Sequence, residues 1–240
     1  MFLVVPGFNE ETRWNHAYWL DLVAQTPCGL MFVDDGSTDG TPRQMSRTAQ
    51  STGASTLILE ANVGKGEAVR RGMLHVLEQH EPSVVGFMDA DAAFAVAEPG
   101  RLLTKLLELH CRDQSVRTVW GSRPRLSGRQ ISRSPMRHYL GRLLATRLFA
   151  GVEDAPYDSQ CGLKLFIVDD ELQTMLSEPF VTRWLFDVEL FARARRSDYR
   201  IWEEPVLEWR ETAGSKVTLR EAARIFRESH VVRKLLLKSP

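Results

Sequence analysis

Val84-Val85-Gly86-Phe87-Met88-Asp89-Ala90-Asp91, residues 84–91, is an apolar run that ends in two aspartates one residue apart. The apolar part has the length and composition of a buried strand, so both carboxylates should lie at the end of a sheet. Hard cations such as Mg²⁺ prefer oxygen ligands and often bridge one or two protein carboxylates to substrate phosphates. Asp-x-Asp is also frequent in turns. The stretch therefore predicts a strand by itself, and a cation site only in combination with its neighbours.

Further short apolar runs of the same kind indicate other buried strands. They are Phe2–Val5, Leu30–Val33, Thr56–Leu59, Thr118–Trp120 and Leu163–Val168. Apolar residues at helical spacing predict helices over Lys65–Gln79 and Arg101–Leu109. Strands that alternate with helices favour an α/β fold, with a mostly parallel central sheet flanked by helices.

Polar residues whose side chains could bind a ligand or take part in catalysis follow four of the predicted strands. They are Pro6–Glu10, Asp34–Asp39, Asn62–Gly66 and Asp89–Asp91. Open sheets of this class bind ligands beyond the carboxyl ends of their strands. The coincidence of four polar segments at one edge predicts a ligand site there.

Composition narrows the function classes. The 240 residues carry a formal net charge of +0, so no overall positive field argues for nucleic acid. The three cysteines, Cys28, Cys111 and Cys161, are far apart, which argues against a disulfide framework or a structural zinc site. No apolar run reaches the roughly 18 residues of a membrane span, and the start lacks the pattern of a signal peptide. We expect a cytoplasmic protein.

Charge is unevenly distributed in the second half. No acidic residue lies between Gln114 and Val152, a stretch that holds eight arginines. Such a block is either a solvated basic face or, beside a phosphate site, a means of binding anions, since guanidinium groups suit phosphate oxygens. The segment from Thr218 onward interleaves basic and apolar residues. It predicts one or two amphipathic helices that either pack on the domain or lie at the inner face of a membrane.

The motifs together resemble those of family 2 glycosyltransferases. The matching segments are Val4–Glu11, Phe32–Thr41, Asn62–Gly66 with Ala68–Arg70, and Asp89–Asp91, in the family's order and spacing. Later segments resemble a narrower branch, the dolichyl-phosphate glucosyltransferases and related polyprenyl-phosphate sugar transferases. These are Gly121–Arg123, Asp158–Phe166, Arg183–Leu190 and Gly214–Lys216.

The resemblance implies a GT-A fold, a nucleotide-sugar donor, Mg²⁺ or Mn²⁺ as cofactor, and inversion at the anomeric carbon. It assigns nucleotide-sugar binding to Pro6, Asn9, Glu10, Asp34, Asp35, Ser37, Lys65 and Asp89. Asp91, with Asp89 beside it, would bind the metal, and Asp158 and Gln160 would stand at the reacting centre. Candidates for contact with the donor pyrophosphate or an acceptor phosphate are Arg123, Arg133, Arg137 and Lys216.

The domain plan follows from the same motifs. We predict a GT-A domain over residues 1–217, with a nucleotide-sugar-binding half at 1–115 and an acceptor half at 116–217. A basic amphipathic C-terminal helix would occupy 218–240. One departure from the family is that Ala92 and Ala93 follow the aspartate pair, where glycine or a polar residue is frequent. The cation would then lean more on phosphate and water.

The chemistry of sugar transfer distinguishes the acceptors. The transition state resembles an oxocarbenium ion, as in glycoside hydrolysis. A hydroxyl acceptor needs a general base, for which Asp158 or Asp187 is the candidate. A phosphate acceptor is already anionic, so positive charge matters more, and the arginine block favours this case. We therefore predict transfer from a nucleotide sugar, with UDP as the expected nucleotide, to an acceptor such as a polyprenyl phosphate.

Three alternatives stay open at this level. Transfer could go to a glycan or small-molecule hydroxyl. A catalytically weak regulator that binds nucleotide sugars is suggested by Ala92 and Ala93, although the other site residues are retained. A sugar-1-phosphate nucleotidyltransferase would need a glycine-rich, arginine-bearing loop after the first strand. Pro6–Glu11 does not provide one.

Overall fold

The structure is a computed structural model that describes residues 1–132, 135–197, 199–212 and 219–237. Its strands are β1 (Phe2–Gly7), β2 (Gly29–Asp34), β3 (Ser55–Ile58), β4 (Val84–Met88), β5 (Val116–Ser122), β6 (Gln130–Ser132), β7 (Leu163–Ile167), β8 (Arg200–Pro205) and β9 (Glu208–Arg210). Its helices are α1 (His16–Gln25), α2 (Thr41–Thr52), α3 (Lys65–Gln79), α4 (Glu98–Arg112), α5 (Pro135–Leu148), α6 (Asp170–Ser177), α7 (Phe186–Arg196) and α8 (Leu219–Leu237).

Seven strands form the central sheet in the order β3-β2-β1-β4-β7-β5-β8. All neighbouring pairs are parallel except those of β7, which is antiparallel to both β4 and β5. The strands β6 and β9 form a separate two-stranded parallel pair. The carboxyl ends of β1, β2 and β4 therefore meet at one edge, where the polar motifs lie.

Alternation of buried side chains explains the layers on both faces of the sheet. Along β1, Val4 joins one core while Leu3 and Val5 join the other, because successive side chains of a strand point to opposite faces. The core around Val4 also takes apolar residues from α3, α6, α7 and α8, and that around Leu3 takes them from α1, α2 and α4. The predicted α/β architecture, with a mostly parallel sheet between helices, is confirmed.

The differences from the predicted elements lie mainly in the second half. Within the segment Arg183–Leu190, which resembles the narrower branch, helix α7 begins at Phe186. The elements α5, α6, β6, β8 and β9 were not predicted. Their sequences are short or rich in charge, so hydrophobic periodicity gives little signal. In the part of the chain that the structure covers, no helix is long and apolar enough to cross a membrane.

Candidate active site

The loops that follow β1 and β2 are tied together by hydrogen bonds. The backbone N–H of Asn9 donates to Ser37 Oγ at 2.9 Å, and Asn9 Oδ1 accepts from the N–H of Thr38 at 2.9 Å. The N–H of Glu10 donates to Thr41 Oγ1 at 2.7 Å. Asn9 has a left-handed backbone, with φ of 53°, which asparagine tolerates better than most residues. Asn9 and Ser37 thus shape the rim of the predicted nucleotide pocket.

Pro6 and Glu10 belong to the same segment as Asn9, at the end of β1 and in the loop that follows. Pro6 is buried within β1, opposite Val33 of β2. Glu10 is buried, and its Oε1 accepts from Arg13 Nη2 at 2.5 Å. The strand pairing thus fixes the backbone at Pro6, and the ion pair with Arg13 orients the Glu10 side chain.

The two adjacent aspartates after β2 have different surroundings. The Asp35 carboxylate accepts from the N–H groups of Val63 and Gly64 at 2.7 and 2.9 Å, and from Asn62 Nδ2 at 3.0 Å. Asp35 therefore organises the loop before α3. Burial raises the pKa of Asp35 despite these hydrogen bonds. In Asp34, Oδ2 accepts from the Ser37 N–H, whereas Oδ1 is buried without a hydrogen-bond partner among the described residues.

A buried polar oxygen without a partner is costly, and native structures rarely leave one so. The Oδ1 atom of Asp34 is thus a place where a ligand hydroxyl or N–H would be stabilised. Of the two aspartates, Asp34 is the one whose carboxylate still has an oxygen available for a nucleoside.

Lys65 and the aspartates after β4 form the charged centre of the site. Lys65 Nζ forms an ion pair with Asp89 Oδ1 at 2.5 Å. Burial and the neighbouring charge of Asp89 raise the pKa of Asp91 to about 6. The N–H of Ala93 donates to Asp91 Oδ1 at 3.3 Å and partly offsets this rise.

Asp89 and Asp91 can supply two carboxylate ligands to a divalent cation. Mutual repulsion between Asp89 and Asp91 is what a cation relieves, and carboxylate oxygen suits Mg²⁺ or Mn²⁺. No group of three or more histidine, cysteine, aspartate or glutamate side chains within the described residues could hold a metal ion. The remaining ligands would have to come from donor phosphates and water. Ala92, between the aspartate pair and Ala93, has a left-handed backbone with φ of 55°. This conformation costs an alanine about 1–2 kcal/mol.

Asp158 and Arg123, which were assigned different roles, form one buried pair. Arg123 Nε and Nη2 donate to the two Asp158 oxygens at 2.7 and 2.9 Å, and the Arg123 N–H donates to Oδ2 at 3.1 Å. The guanidinium also lies over the Trp209 ring, 5.0 Å from its centroid. Arg123 and Asp158 are each 8% exposed. Asp158 is therefore held as a charged anchor, and Arg123 is oriented by it.

Asp187 is likewise paired. Its Oδ1 accepts from Lys164 Nζ at 2.5 Å, and Lys164 also donates to the carbonyls of Ser159 and Cys161 at 3.0 and 2.6 Å. Lys164 is fully buried between the rings of Phe87 and Trp120. This lysine holds the 159–161 loop against α7.

Gln160 is carried on that loop. Its Nε2 is buried and, within the described part of the chain, has no hydrogen-bond partner. The side chain lines a small cavity together with Asp158, Ser159, Leu185 and residues of α5. The N–H groups of this amide are left to donate to a ligand, so the position suits an anionic or carbonyl oxygen.

Several site predictions fall outside this geometry. Arg133 and Lys216 lie outside the described residues, and so does the side chain of Arg137. Their predicted phosphate contacts stay predictions. Sequence reasoning gave no role to Lys164 or to Glu203, whose carboxylate accepts from the N–H groups of Tyr157 and Asp158 at 2.6 and 2.7 Å. For Lys164 the available signal was a lone charge inside the otherwise apolar run of β7.

Gly162 provides a direct test of the aspartate site. A Cβ at this position would overlap the Asp89 carboxylate, which lies against the glycine. We expect Gly162→Ala to displace Asp89 and to weaken Mn²⁺-dependent UDP binding about tenfold or more, with far-UV circular dichroism retained. Titration calorimetry measures the change. Gly100→Ala, in the first turn of α4, is the control, because its Cβ would come no nearer than 3.2 Å to another residue, the Thr26 side chain. Equal affinity in both variants would contradict the placement of Asp89.

Comparison of the sequence with known proteins shows which family the chain resembles. The model of glycosyl transferase family 2 matches residues 3–171. A dolichyl-phosphate beta-glucosyltransferase of Trichomonas vaginalis is 32% identical over 230 residues, covering 90% of this chain and 65% of the relative. The Drosophila melanogaster dolichyl-phosphate beta-glucosyltransferase is 32% identical over 238 residues, covering 90% and 68%. The chain thus spans about two thirds of the length of these relatives.

A solved structure supports the fold. The glucosyl-3-phosphoglycerate synthase of Mycobacterium tuberculosis, in complex with Mn²⁺, UDP-glucose and phosphoglyceric acid, superposes with a TM-score of 0.65 at 18% identity. The match covers 100% of this chain and 80% of that one. The predicted GT-A fold and the predicted resemblance to the dolichyl-phosphate glucosyltransferase branch are confirmed. The chain belongs to glycosyl transferase family 2.

Proposed function

We propose that the protein transfers a sugar from a nucleoside diphosphate sugar, with UDP as the expected nucleotide, to a polyprenyl phosphate, with inversion at the anomeric carbon. The observation that carries the acceptor assignment is the pairing of both candidate bases. Asp158 is bound to Arg123 and Asp187 to Lys164, so neither carboxylate is placed to take a proton from a hydroxyl. An acceptor that arrives as an anion needs no such base.

The donor side rests on the residues around Asp34, Lys65 and Asp89. The unsatisfied Asp34 Oδ1 suits a nucleoside hydroxyl or N–H, and Lys65 suits a phosphate once it leaves Asp89. A divalent cation held by Asp89 and Asp91 would act as a Lewis acid toward the leaving diphosphate. Gln160 is the candidate donor of a hydrogen bond to an oxygen near the reacting carbon.

The reaction itself is a single displacement. An oxygen of the acceptor phosphate forms the new bond to the anomeric carbon as the bond from that carbon to the diphosphate oxygen breaks. The nucleoside diphosphate leaves with the electron pair. No covalent sugar–enzyme intermediate forms, so the anomeric configuration inverts. Positive charge in a water-poor site stabilises the developing charge.

We propose the same domain assignment as from the sequence. Residues 1–115 bind the donor, residues 116–217 bind the acceptor, and residues 218–240 are the C-terminal helical segment. Peripheral membrane contact is part of the same proposal. The exposed face of α8 combines Phe226 and Val231 with the charged Arg227 and Lys234, a combination that suits an interface with anionic lipids. We propose that the protein acts at the cytoplasmic face of a membrane.

The test is an acceptor panel with purified protein and Mn²⁺. Labelled UDP-glucose and GDP-mannose are each offered with a polyprenyl phosphate in anionic vesicles, the matching polyprenol, and a simple oligosaccharide. We expect label in the polyprenyl phosphate fraction alone, from one donor. Transfer to the polyprenol or oligosaccharide instead would favour a hydroxyl acceptor, and nucleotide binding without transfer would favour a regulator.

A further inference from the structure

Glu228, on the C-terminal helix α8, accepts hydrogen bonds from three consecutive backbone N–H groups. Oε1 accepts from Arg183 at 3.1 Å, and Oε2 accepts from Trp184 and Leu185 at 2.9 and 3.1 Å. These three residues directly precede α7, whose own N-cap residue, Leu185, makes no side-chain cap. A carboxylate at a helix N-terminus is favourable because the first N–H groups have no partner within the helix. Glu228 therefore caps α7 from another element.

The capped segment holds the loop before α3. Arg183 Nη2 donates to the Asn62 carbonyl at 3.1 Å and to Asn62 Oδ1. The Arg183 side chain also lies against Gly64, where a Cβ would come within 2.7 Å of Nε. Phe186, at the start of α7, packs on Gly66 in the same way. The segment 183–186 thus supports the loop 62–66 from one side, in addition to the hydrogen bonds that the loop makes to Asp35.

That loop carries the charged centre of the site. Lys65 follows Gly64 directly, pairs with Asp89, and lies 5.7 Å from the centroid of the Phe186 ring. A continuous set of contacts runs from Glu228 through Arg183 and the loop to Lys65. Each link is a hydrogen bond, an ion pair or a close packing contact.

We propose that Glu228 is a positioning residue for the donor site and that, through it, α8 sets the affinity for the nucleotide sugar. The inference rests on the proposed function, which gives the 62–66 loop and Lys65 to the donor. It goes beyond that function by giving the C-terminal helix a part in donor binding in addition to any membrane contact. A change in the packing of α8 would therefore change the position of Lys65.

The test compares Glu228→Gln with Glu108→Gln, the same chemical change at an exposed position of α4. The amide that replaces the Glu228 carboxylate can no longer accept from all three N–H groups. We expect Mn²⁺-dependent UDP affinity to fall about tenfold, the equivalent of about 1.4 kcal/mol, because charge-assisted hydrogen bonds are lost. The acceptor KM should stay unchanged, and Glu108→Gln should match the wild type. Unchanged UDP affinity in Glu228→Gln would overturn the proposal.

A double-mutant cycle with Arg183→Met distinguishes a positioning role of Glu228, which acts through Arg183, from a general contribution to stability. If Glu228 acts through Arg183, its replacement has little further effect on UDP affinity in the Arg183→Met background. Fully additive losses would overturn the proposed route. Hydrogen exchange of the amides of 62–66 gives a readout that needs no ligand, and we expect faster exchange there in Glu228→Gln. A wild type that binds no nucleotide would contradict the proposed function, while unchanged exchange in 62–66 would contradict this inference.

Discussion

Asp91→Asn should abolish cation-dependent nucleotide binding and lower sugar transfer about 10²–10³-fold, the range found when one group that stabilises developing charge is removed. The amide keeps the shape of the side chain but loses the negative charge that attracts a divalent cation. Asp89 alone cannot compensate, because Lys65 lies 2.5 Å from it as its ion-pair partner. Binding of UDP with and without Mn²⁺, by calorimetry, and initial rates of transfer measure the two effects.

The same variant should not lose stability in the absence of cation. The pKa of Asp91 is raised to about 6 by burial and by the charge of Asp89, so the ionised form is disfavoured in the folded state. The stability that the protonated carboxyl contributes is fully present below the unfolded pKa of about 3.9 and is lost as the pH rises through about 6. Above pH 6, Asp91→Asn removes this unfavourable charge, and its Tm should equal or exceed that of the wild type.

Asp21→Asn, at an exposed position of α1, is the matched control and should leave both binding and transfer unchanged. Two results would count against the assignment. One is Mn²⁺-dependent UDP binding that persists in Asp91→Asn. The other is a Tm well below that of the wild type at a pH of about 7.5, which would mean that the carboxylate serves mainly to hold the fold.

Lys164→Met should produce the largest loss of stability. Lys164 is fully buried and all three of its donor directions are used, two by backbone carbonyls and one by Asp187. Removing it leaves Asp187, 3% exposed, as an unpaired buried charge. Such a change costs about 3–5 kcal/mol. At about 2–4 °C for each kcal/mol in a chain of this size, we expect Tm to fall by roughly 6–20 °C.

A second variant separates the ion pair from the position of the loop. Burial already raises the pKa of Asp187, so an apolar replacement of both partners should recover much of the lost stability in Lys164→Met/Asp187→Leu. Activity should stay low, because the Ser159 and Cys161 carbonyls are no longer held and Gln160 can move. Arg112→Met, which removes a positive charge at an exposed position of α4, is the control. Full activity in the double variant would show that the pair is dispensable for placing Gln160.

Predictions from the sequence were most successful where one local pattern carried the information. The strand at 84–88 and the helix at 65–79 match the structure residue for residue, because a buried apolar run and a helical repeat each specify one element. The antiparallel direction of β7 was beyond such reasoning. Its apolar residues would suit either direction, and the choice depends on how the chain returns between β4 and β5.

The sequence by itself determined the fold class and which polar loops share an edge of the sheet, because parallel neighbours necessarily bring their carboxyl ends together. The tertiary structure alone decided which charges pair with one another. The pairing of Asp158 with Arg123, and the hydrogen bonds that Asp35 accepts from Val63 and Gly64, became visible only in the structure. Coulomb energy and desolvation depend on distances and burial in three dimensions, and residues 35 positions apart along the chain carry no local sign that they will meet.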